Sequence, residues 1–215
     1  MFVAFLSSYP PSSFDMLRTS AGQAGECKRT SLDYTRNADC MLYWLVMKIQ
    51  VILGSTRQGR VSEKIGAWVM EQAKSIPDVE FELLDLRDYQ LPFFDEPVSP
   101  SMLKEPYTNP EAAKWTQKIA EGNAYLIITP EYNHGYTAVL KNALDYVYKQ
   151  WNGKKIGFVG YGTLGAARGI EQLRQVVIEL QMIPIRNAVH IVKFWKLTNF
   201  DAYNPALKSV LEQLR

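Results

Sequence analysis

The sequence has little of what several common kinds of protein depend on. It contains two cysteines, Cys27 and Cys40, in 215 residues. Two are too few for a disulfide framework or a CxxC metal site, and their scarcity favours a reducing compartment such as the cytoplasm. No apolar run is long enough to span a bilayer, and at a net charge of +2 no basic run indicates nucleic-acid binding. We therefore expect a cytoplasmic protein with no metal, membrane or nucleic-acid partner.

The first 46 residues differ in composition from the remainder. They combine Ser, Pro, Gly and scattered charges without a helical or alternating period, and their acidic residues argue against a mitochondrial transit peptide. Met47 stands directly before the first predicted strand. We expect residues 1–46 to be a disordered extension and residues 47–215 to form the folded domain.

From residue 48 onward, predicted strands and helices alternate. Apolar runs predict strands near 49–53, 81–86, 125–129, 155–160 and 185–192, and an apolar helical period follows each of them. Strict alternation indicates a parallel sheet with helices on both faces and right-handed crossovers. Five strands are typical of a flavodoxin-like fold. The predicted class is therefore α/β, a three-layer sandwich around a five-stranded parallel sheet in the order 2-1-3-4-5.

Three loops rich in Gly or Pro follow the first, third and fourth strands. They span residues 54–62 (the first loop), 130–136 (the second loop) and 161–165 (the third loop). In the predicted order the carboxyl ends of these strands border one crevice, which is where open α/β sheets bind ligands. Because turn chemistry alone is a poor explanation for three such loops around one crevice, the sequence predicts a ligand site there.

The first loop has the groups of a phosphate site. Ser55 and Ser62 offer hydroxyl donors, Arg57 offers a charged fork suited to phosphate oxygens, and the helix N-terminus adds backbone N–H groups. Arg60 and Val61 stand where a triphosphate-binding loop needs Lys followed by Ser or Thr, so a monophosphate is favoured. An ordinary βα turn with Ser62 as the helix N-cap is the alternative.

The second and third loops are suited to a planar ring. After Pro130, backbone N–H and C=O groups can meet the edge of a heterocycle, and Tyr132 can pack against its face. Asn133 either hydrogen-bonds or accommodates a left-handed turn. Glu131 is better explained as a solvated or helix-facing carboxylate than as a base. Gly162 allows the backbone to approach a ligand closely.

Other residues near these loops have less specific patterns. Gly165 also permits close backbone approach to a ligand. His134 has no neighbouring Ser, Asp or Cys in the sequence, so we predict no catalytic side chain. The polar positions at 141–145 fit either a solvated helix face or part of a subunit interface. Trp115 and Trp151 are expected to be packing residues.

Taken together, the three loops resemble the NADPH-dependent FMN reductase family, which includes quinone, azo-dye and chromate reductases. The similarity rests on Gly54-Ser-Thr-Arg57 with Ser62, on Thr129-Pro-Glu-Tyr-Asn-His-Gly-Tyr136 continuing into Leu140-Lys-Asn-Ala-Leu-Asp145, and on Tyr161-Gly162 with Gly165. It covers about residues 47–214. The resemblance implies bound FMN, NADPH or NADH as hydride donor, and a small-molecule acceptor such as a quinone, free flavin or azo compound.

The resemblance also implies roles for individual residues. The residues expected to hold the FMN phosphate are Ser55, Arg57, Val61 and Ser62. Those expected to border the isoalloxazine, mainly through backbone groups, are Pro130, Glu131, Tyr132 and Asn133, with Tyr161 and Gly162 closing its far side. Family members are typically homodimers or homotetramers. Thr137 stands where the family commonly has a proline.

Three other functions are compatible with these residues. A one-electron carrier of the flavodoxin type also binds FMN, but such carriers usually use an acidic surface, which the near-neutral charge with Arg57 and Arg60 does not provide. A flavin-binding protein whose partner senses the redox state fits equally well. A reductase of free FMN differs from a quinone reductase only in its affinity for the flavin.

Overall fold

The computed structural model describes residues 46–104 and 106–215. The extension predicted over residues 1–46 therefore lies outside the described residues, except for Val46. Among the helices of the described part, none is both long and apolar enough to cross a bilayer.

One parallel sheet forms the centre of the domain. Its strands are β1 (Met47–Leu53), β2 (Val79–Asp85), β3 (Ala124–Pro130), β4 (Lys155–Gly162), β5 (Ile183–Pro184) and β6 (Val189–Val192). The order is β2-β1-β3-β4-β5, with β6 also beside β4, and every pairing is parallel. The predicted α/β class and strand order are confirmed.

The fifth predicted strand, at 185–192, is too long: only β6 lies within that range, and β5 lies just before it. β5 pairs with the amino end of β4, and β6 pairs with its carboxyl end. Between them, the Arg174 guanidinium donates to the carbonyl oxygens of Ile185 at 2.6 Å and Arg186 at 2.8 Å. These carbonyl groups therefore bond to a helix side chain instead of continuing the ladder, which the apolar pattern of the strand cannot reveal.

In residues 46–104 and 106–215, five α-helices cover the two faces of the sheet. They are α1 (Ser62–Ala73), α2 (Pro110–Ala120), α3 (Ala138–Asp145), α4 (Ala167–Glu179) and α5 (Asn204–Leu214). α1 and α5 pack in one apolar core, and α2, α3 and α4 pack in the other. Successive side chains of β3 enter opposite cores, Ile127 with α2 to α4 and Leu126 with α1 and α5, because a strand alternates its faces. The three-layer sandwich is confirmed.

Two buried tryptophans contribute to the core around α2 and α3, as predicted. Trp115 is 1% exposed and donates from Nε1 to the Ala143 carbonyl oxygen at 2.8 Å. Trp151 is fully buried and packs edge-on against Tyr125, with ring centroids 4.6 Å apart. Each ring thus buries its apolar surface, and Trp115 also satisfies its N–H group.

The polar positions on α3 have a local structural role. The Asn142 side chain accepts from the backbone N–H of Phe94 at 2.9 Å and donates to the Pro92 carbonyl oxygen at 2.7 Å. Lys141 pairs with Asp145 one turn along the helix. Asn142 therefore fastens the proline-rich segment after β2 to α3, which neither of the two interpretations from the sequence included.

A buried guanidinium joins the first loop to the carboxyl end of β2. The Arg60 side chain is 1% exposed and pairs with Asp85, with 2.7 Å between Nη1 and Oδ1. It also contacts Glu63 and the Ser55 carbonyl oxygen. Partial burial alone raises the pKa of the Asp85 carboxyl, but the Arg60 guanidinium and the Arg87 backbone N–H outweigh it and hold that pKa below its usual value.

Replacing Arg60 by Met removes this pair and keeps most of the side-chain volume. Because a partly buried carboxylate loses its donor, we expect Arg60→Met to lower the free energy of unfolding by about 3 kcal/mol at pH 7, measured by urea unfolding. The folded-state pKa of Asp85 is depressed, so its stabilisation is present above the ordinary Asp pKa and is lost as the pH falls through the folded value. The difference in free energy of unfolding between the wild type and Arg60→Met should therefore shrink below about pH 4.

The control is Lys208→Met, which removes an exposed ion pair with Glu212 at 3.9 Å. Lys208→Met should lower the free energy of unfolding by less than about 1 kcal/mol. A loss of stability for Arg60→Met that is no larger than this would contradict the anchoring role of Arg60.

Candidate functional site

The first and second loops meet at the carboxyl end of the sheet. The Gly54 N–H donates to the Ile128 carbonyl oxygen at 2.8 Å, and the Thr137 hydroxyl donates to the Gly54 carbonyl oxygen. Thr137 also caps α3, because its hydroxyl accepts from the Leu140 backbone N–H. At the position where the family commonly has a proline, this chain thus has a residue that joins the end of the second loop to the first. The Ser55 and Tyr132 hydroxyls lie 3.1 Å apart. The predicted convergence of these loops is therefore present.

Arginine side chains hold the carbonyl groups of the first loop. Arg87 donates from Nε to the Thr56 carbonyl oxygen at 3.2 Å and from Nη2 to the Arg57 carbonyl oxygen at 2.6 Å. Arg60 holds the carbonyl oxygen of Ser55. Three successive acceptors of the loop are thereby occupied by guanidinium groups.

Several donors of the same loop have no acceptor. Among the described residues, no group accepts from the backbone N–H groups of Thr56, Gln58 or Gly59. The hydroxyl of Ser62 is fully buried and completes no hydrogen bond within the described part of the chain. A loop with its carbonyls occupied and its donors unpaired is a site for an anion.

Ser62 does not have the capping role that was the alternative to phosphate binding. α1 begins at Ser62 itself, and its N-cap residue is Val61, which makes no side-chain capping bond. Two other buried polar atoms of the described residues lack partners, on Gln50 and Thr116, but neither belongs to the three loops. A buried hydroxyl without a partner normally costs free energy, so Ser62 requires a further explanation.

Arg57 is positioned differently from its neighbour Arg60. Its side chain is exposed at the edge of the first loop and forms no ion pair among the described residues. Its backbone N–H lies 3.5 Å from the Ser55 hydroxyl oxygen. The Arg57 guanidinium is thus available to a ligand, whereas Arg60 is fully engaged by protein groups.

The second loop is a tight hairpin. Tyr132 and Gly135 exchange two backbone hydrogen bonds of 2.9 Å, and the two residues between them have positive φ, 49° at Asn133 and 70° at His134. This is the pattern of a two-residue β-hairpin turn. Of the two roles predicted for Asn133, the left-handed turn is present. Pro130 is buried at the end of β3, and Tyr132 is 39% exposed beside the first loop.

The Glu131 carboxylate faces a helix, as expected. It accepts from the Nε and backbone N–H of Arg168, at 2.6 and 3.1 Å, at the start of α4. Its side chain is 7% exposed. Glu131 can therefore contact a bound ring only through its backbone, because its carboxylate is occupied by protein donors.

The third loop combines a buried tyrosine with a glycine. Tyr161 is 4% exposed and packs edge-on against Phe194, with centroids 5.5 Å apart. Burial raises the pKa of its phenol, and the nearby hydroxyls of Ser62 and Ser55 act in the opposite direction, although the Ser62 hydroxyl completes no hydrogen bond. The Tyr161 side chain therefore belongs to the base of the first loop. A Cβ added at Gly162 would lie 3.9 Å from the Ala166 backbone nitrogen, an ordinary contact distance.

Gly165 approaches protein rather than an open crevice. A Cβ at Gly165 would lie 2.7–2.8 Å from atoms of His190, and the φ angle of +60° favours glycine. His190 Nδ1 lies 2.9 Å from the Gly165 carbonyl oxygen. The prediction that Gly165 gives room for a ligand is thus replaced by a structural role, in which close packing sets the position of the third loop.

Two adjoining cavities lie beside the first loop, and Tyr132 of the second loop lines one of them. The first, of about 210 Å³, is lined by Ser55, Thr56, Arg57, Tyr132, Thr137, Ala138 and Val139. The second, of about 340 Å³, shares Thr56 and Val139 with it and extends towards Phe93. Together they reach the size range of cofactor pockets, about 300–1,000 Å³. A third cavity of about 340 Å³, around Tyr107 and Thr116, contains none of the predicted site residues.

Val139 corrects one detail of the helix prediction. The apolar period of the sequence after the third strand puts Val139 on the same face as Leu140, Ala143 and Leu144, but it is 38% exposed and lines both cavities. Leu140, Ala143 and Leu144 are the core residues of that helix. The first turn of α3 therefore presents an apolar side chain to the crevice.

The sequence did not indicate the roles of Arg87 and Arg168. Both act on groups that are distant in the chain, by 30 residues for the contact of Arg87 with Arg57 and by 37 for that of Arg168 with Glu131. Neither lies in a motif, so the pattern offered no signal. No cluster of three metal-ligating side chains is present in the residues searched, which are the described ones.

The site can hold a phosphorylated planar cofactor. The first loop presents unpaired donors, an exposed guanidinium and a buried hydroxyl, which suit a phosphate. Tyr132 of the hairpin lines the cavity beside this loop.

Comparison with known proteins agrees with this geometry. Residues 47–196 match the family described as NADPH-dependent FMN reductase. An NAD(P)H-dependent FMN reductase of Schizosaccharomyces pombe is 42% identical over 135 residues, covering 63% of this chain and 68% of the relative. An NAD(P)H:quinone oxidoreductase of Solanum tuberosum is 30% identical over 142 residues, covering 64% of this chain and 70% of the relative.

The fold also agrees with solved structures. FerB, a flavoenzyme NAD(P)H:(acceptor) oxidoreductase from Paracoccus denitrificans, superposes with a TM-score of 0.60 over 78% of this chain and 98% of its own, at 21% sequence identity. Identity at that level supports the flavodoxin-like fold alone. Because the family match spans more than half of the chain, the chain belongs to the NADPH-dependent FMN reductase family and is an FMN-dependent NAD(P)H oxidoreductase.

Proposed function

We propose that this oxidoreductase binds FMN in the crevice between the three loops and reduces quinones or similar small acceptors. The observation that carries the site is the buried Ser62 hydroxyl, which has no partner among the described residues in a loop of unpaired N–H donors. An FMN phosphate would satisfy these groups. A relative named as a quinone oxidoreductase supports the acceptor class.

The residues that would hold the cofactor follow from the position of the phosphate. Ser55, Arg57 and Ser62 would donate to its oxygens through side chains, and Val61 through its backbone at the start of α1. Pro130, Glu131, Tyr132 and Asn133 would border the isoalloxazine, with the backbone of Gly162 on its far side. The Tyr161 phenol would contribute from the base of the first loop, where it is buried near the serine hydroxyls.

The chain and the cofactor would divide the chemistry. FMN, when bound, accepts hydride from NADPH or NADH at N5 and passes reducing equivalents to the acceptor. The chain would supply orientation and dipoles: the hairpin N–H groups would face the ring where negative charge develops on reduction. Glu131 is occupied by Arg168, and we assign no side chain as acid, base or nucleophile.

The direct test is the absorbance spectrum of the purified full-length chain, before and after addition of NADPH without oxygen. We expect flavin bands that bleach with NADPH and recover when a benzoquinone is added. Flavin bands that do not bleach when NADPH is added would indicate a one-electron carrier or a redox-sensing flavin protein. Absence of flavin, with no binding of added FMN, would overturn the proposed site.

The phosphate assignment predicts different effects of two variants on FMN affinity. Arg57→Ala should weaken binding by about 1.5–3 kcal/mol because a charged hydrogen bond is lost, and Ser62→Ala should weaken it by about 1 kcal/mol. Ser62→Ala should leave the FMN-free protein equally stable or more stable, since it removes a buried hydroxyl without a partner. Fluorescence titration and urea unfolding measure the two quantities.

Matched controls for these variants are Arg186→Ala and Ser75→Ala. Arg186 is an exposed arginine between β5 and β6, and the Ser75 hydroxyl bonds to Gln72 after α1. Neither control should change the FMN dissociation constant. If Ser62→Ala destabilised the FMN-free protein without affecting FMN binding, Ser62 would be a purely structural residue.

We also propose a cytoplasmic homodimer or homotetramer. The scarcity of cysteine supports the compartment. Exposed apolar side chains beside the crevice support association, with Phe93 at 80% and Val139 at 38% exposure. Light scattering of the full-length protein should give two or four times the chain mass of 24.5 kDa. A monomer at micromolar concentration would refute the oligomeric assignment.

A further inference from the structure

A partly buried ion pair joins the second loop to the beginning of α4. Glu131 Oε1 accepts from Arg168 Nε at 2.6 Å and also contacts Nη2. Its Oε2 accepts from the backbone N–H groups of Arg168 at 3.1 Å and Gly169 at 3.4 Å. The Glu131 side chain is 7% exposed and that of Arg168 is 38% exposed. Both carboxylate oxygens are therefore committed to the start of one helix.

The same carboxylate caps α4. The N-cap residue, Ala166, has left-handed backbone geometry, with φ at 56°, and no side chain able to accept the first N–H groups of the helix. Those N–H groups have no partner within the helix, and the helix N-terminus favours negative charge. Burial alone raises the pKa of Glu131, but Arg168 and the two N–H groups lower it below its usual value, so the carboxylate is charged at neutral pH.

Arg168 also reaches the tip of the hairpin. Its Nη1 lies 2.6 Å from His134 Nε2, and Gln172 on the same helix donates to the His134 carbonyl oxygen at 3.0 Å. The tip residues Asn133 and His134 lie in the left-handed region, which residues with a side chain seldom adopt. α4 therefore holds both the base and the strained tip of the hairpin.

We propose that Glu131 and Arg168 are positioning residues that fix the hairpin at 132–135 against the start of α4 and thereby set the redox potential of bound FMN. This inference rests on the proposed function. The tip N–H groups of Asn133 and His134 have no acceptor among the described residues. N–H dipoles directed at a flavin stabilise the negative charge gained on reduction, and their effect depends on fixed distance and direction.

Redox titration of the FMN-loaded, full-length protein tests this role with Glu131→Gln, Arg168→Gln and the double variant. Each single variant should weaken binding of reduced FMN about tenfold relative to oxidised FMN. For a two-electron couple that is a potential lower by about 30 mV. The potential of the double variant should be no lower than that of either single variant, because each single substitution already removes the same restraint.

Two other results would overturn the inference. If the residues acted only as nearby charges, removing the carboxylate would raise the potential and removing the guanidinium would lower it. If the pair only stabilised the fold, both variants would unfold more readily while the potential stayed constant. Glu171→Gln is the control, because Glu171 is exposed on α4 one turn from Arg168 and has no ion pair among the described residues. It should leave the potential unchanged.

A second measurement does not depend on bound FMN. In the FMN-free protein, hydrogen exchange of the hairpin amides should be about tenfold faster in Glu131→Gln and Arg168→Gln than in the wild type. Unchanged exchange would show that the pair does not hold the hairpin. If the wild type bound no FMN, the proposed function would fail, and the exchange measurement would still decide whether the pair restrains the hairpin.

Discussion

Guanidinium groups at the carboxyl end of β1 impose the constraint on which the rest of the site depends. Arg60 and Arg87 hold three successive carbonyl oxygens of the first loop, and Arg60 ties the loop to Asp85 at the end of β2. With its acceptors engaged, the loop has mainly donors left for a ligand. A phosphate binds to such a loop without reorganising it, which avoids an entropic cost of binding.

The three loops form one connected unit. Thr137 links the first loop to the start of α3, the Ser55 and Tyr132 hydroxyls adjoin, and Glu131 binds the start of α4, which follows the third loop. Arg168 extends this connection to the hairpin tip. Contacts of this kind hold the groups around a cofactor in fixed geometry, which is the protein's main contribution when the cofactor carries the chemistry.

The side chains that are obvious acid–base candidates make contacts within the protein. Glu131 and His134 both face Arg168, and His190 adjoins the Gly165 carbonyl oxygen. These three side chains are thus used to fix backbone positions. Arg57 differs because it is exposed and has no ion pair among the described residues, as a group that meets a ligand should be.

The sequence by itself determined the strand order, the three-layer architecture and the place of the crevice. Alternating strand and helix periods with right-handed crossovers permit few arrangements, and loops at strand ends must meet at one edge. Only the tertiary structure decided that β5 and β6 are two separate strands, that Ser62 is not a helix cap and that Arg60 is buried while Arg57 is exposed. The physical reason is range: periodicity is local, whereas Arg60 and Asp85 are 25 residues apart and Glu131 and Arg168 are 37 apart.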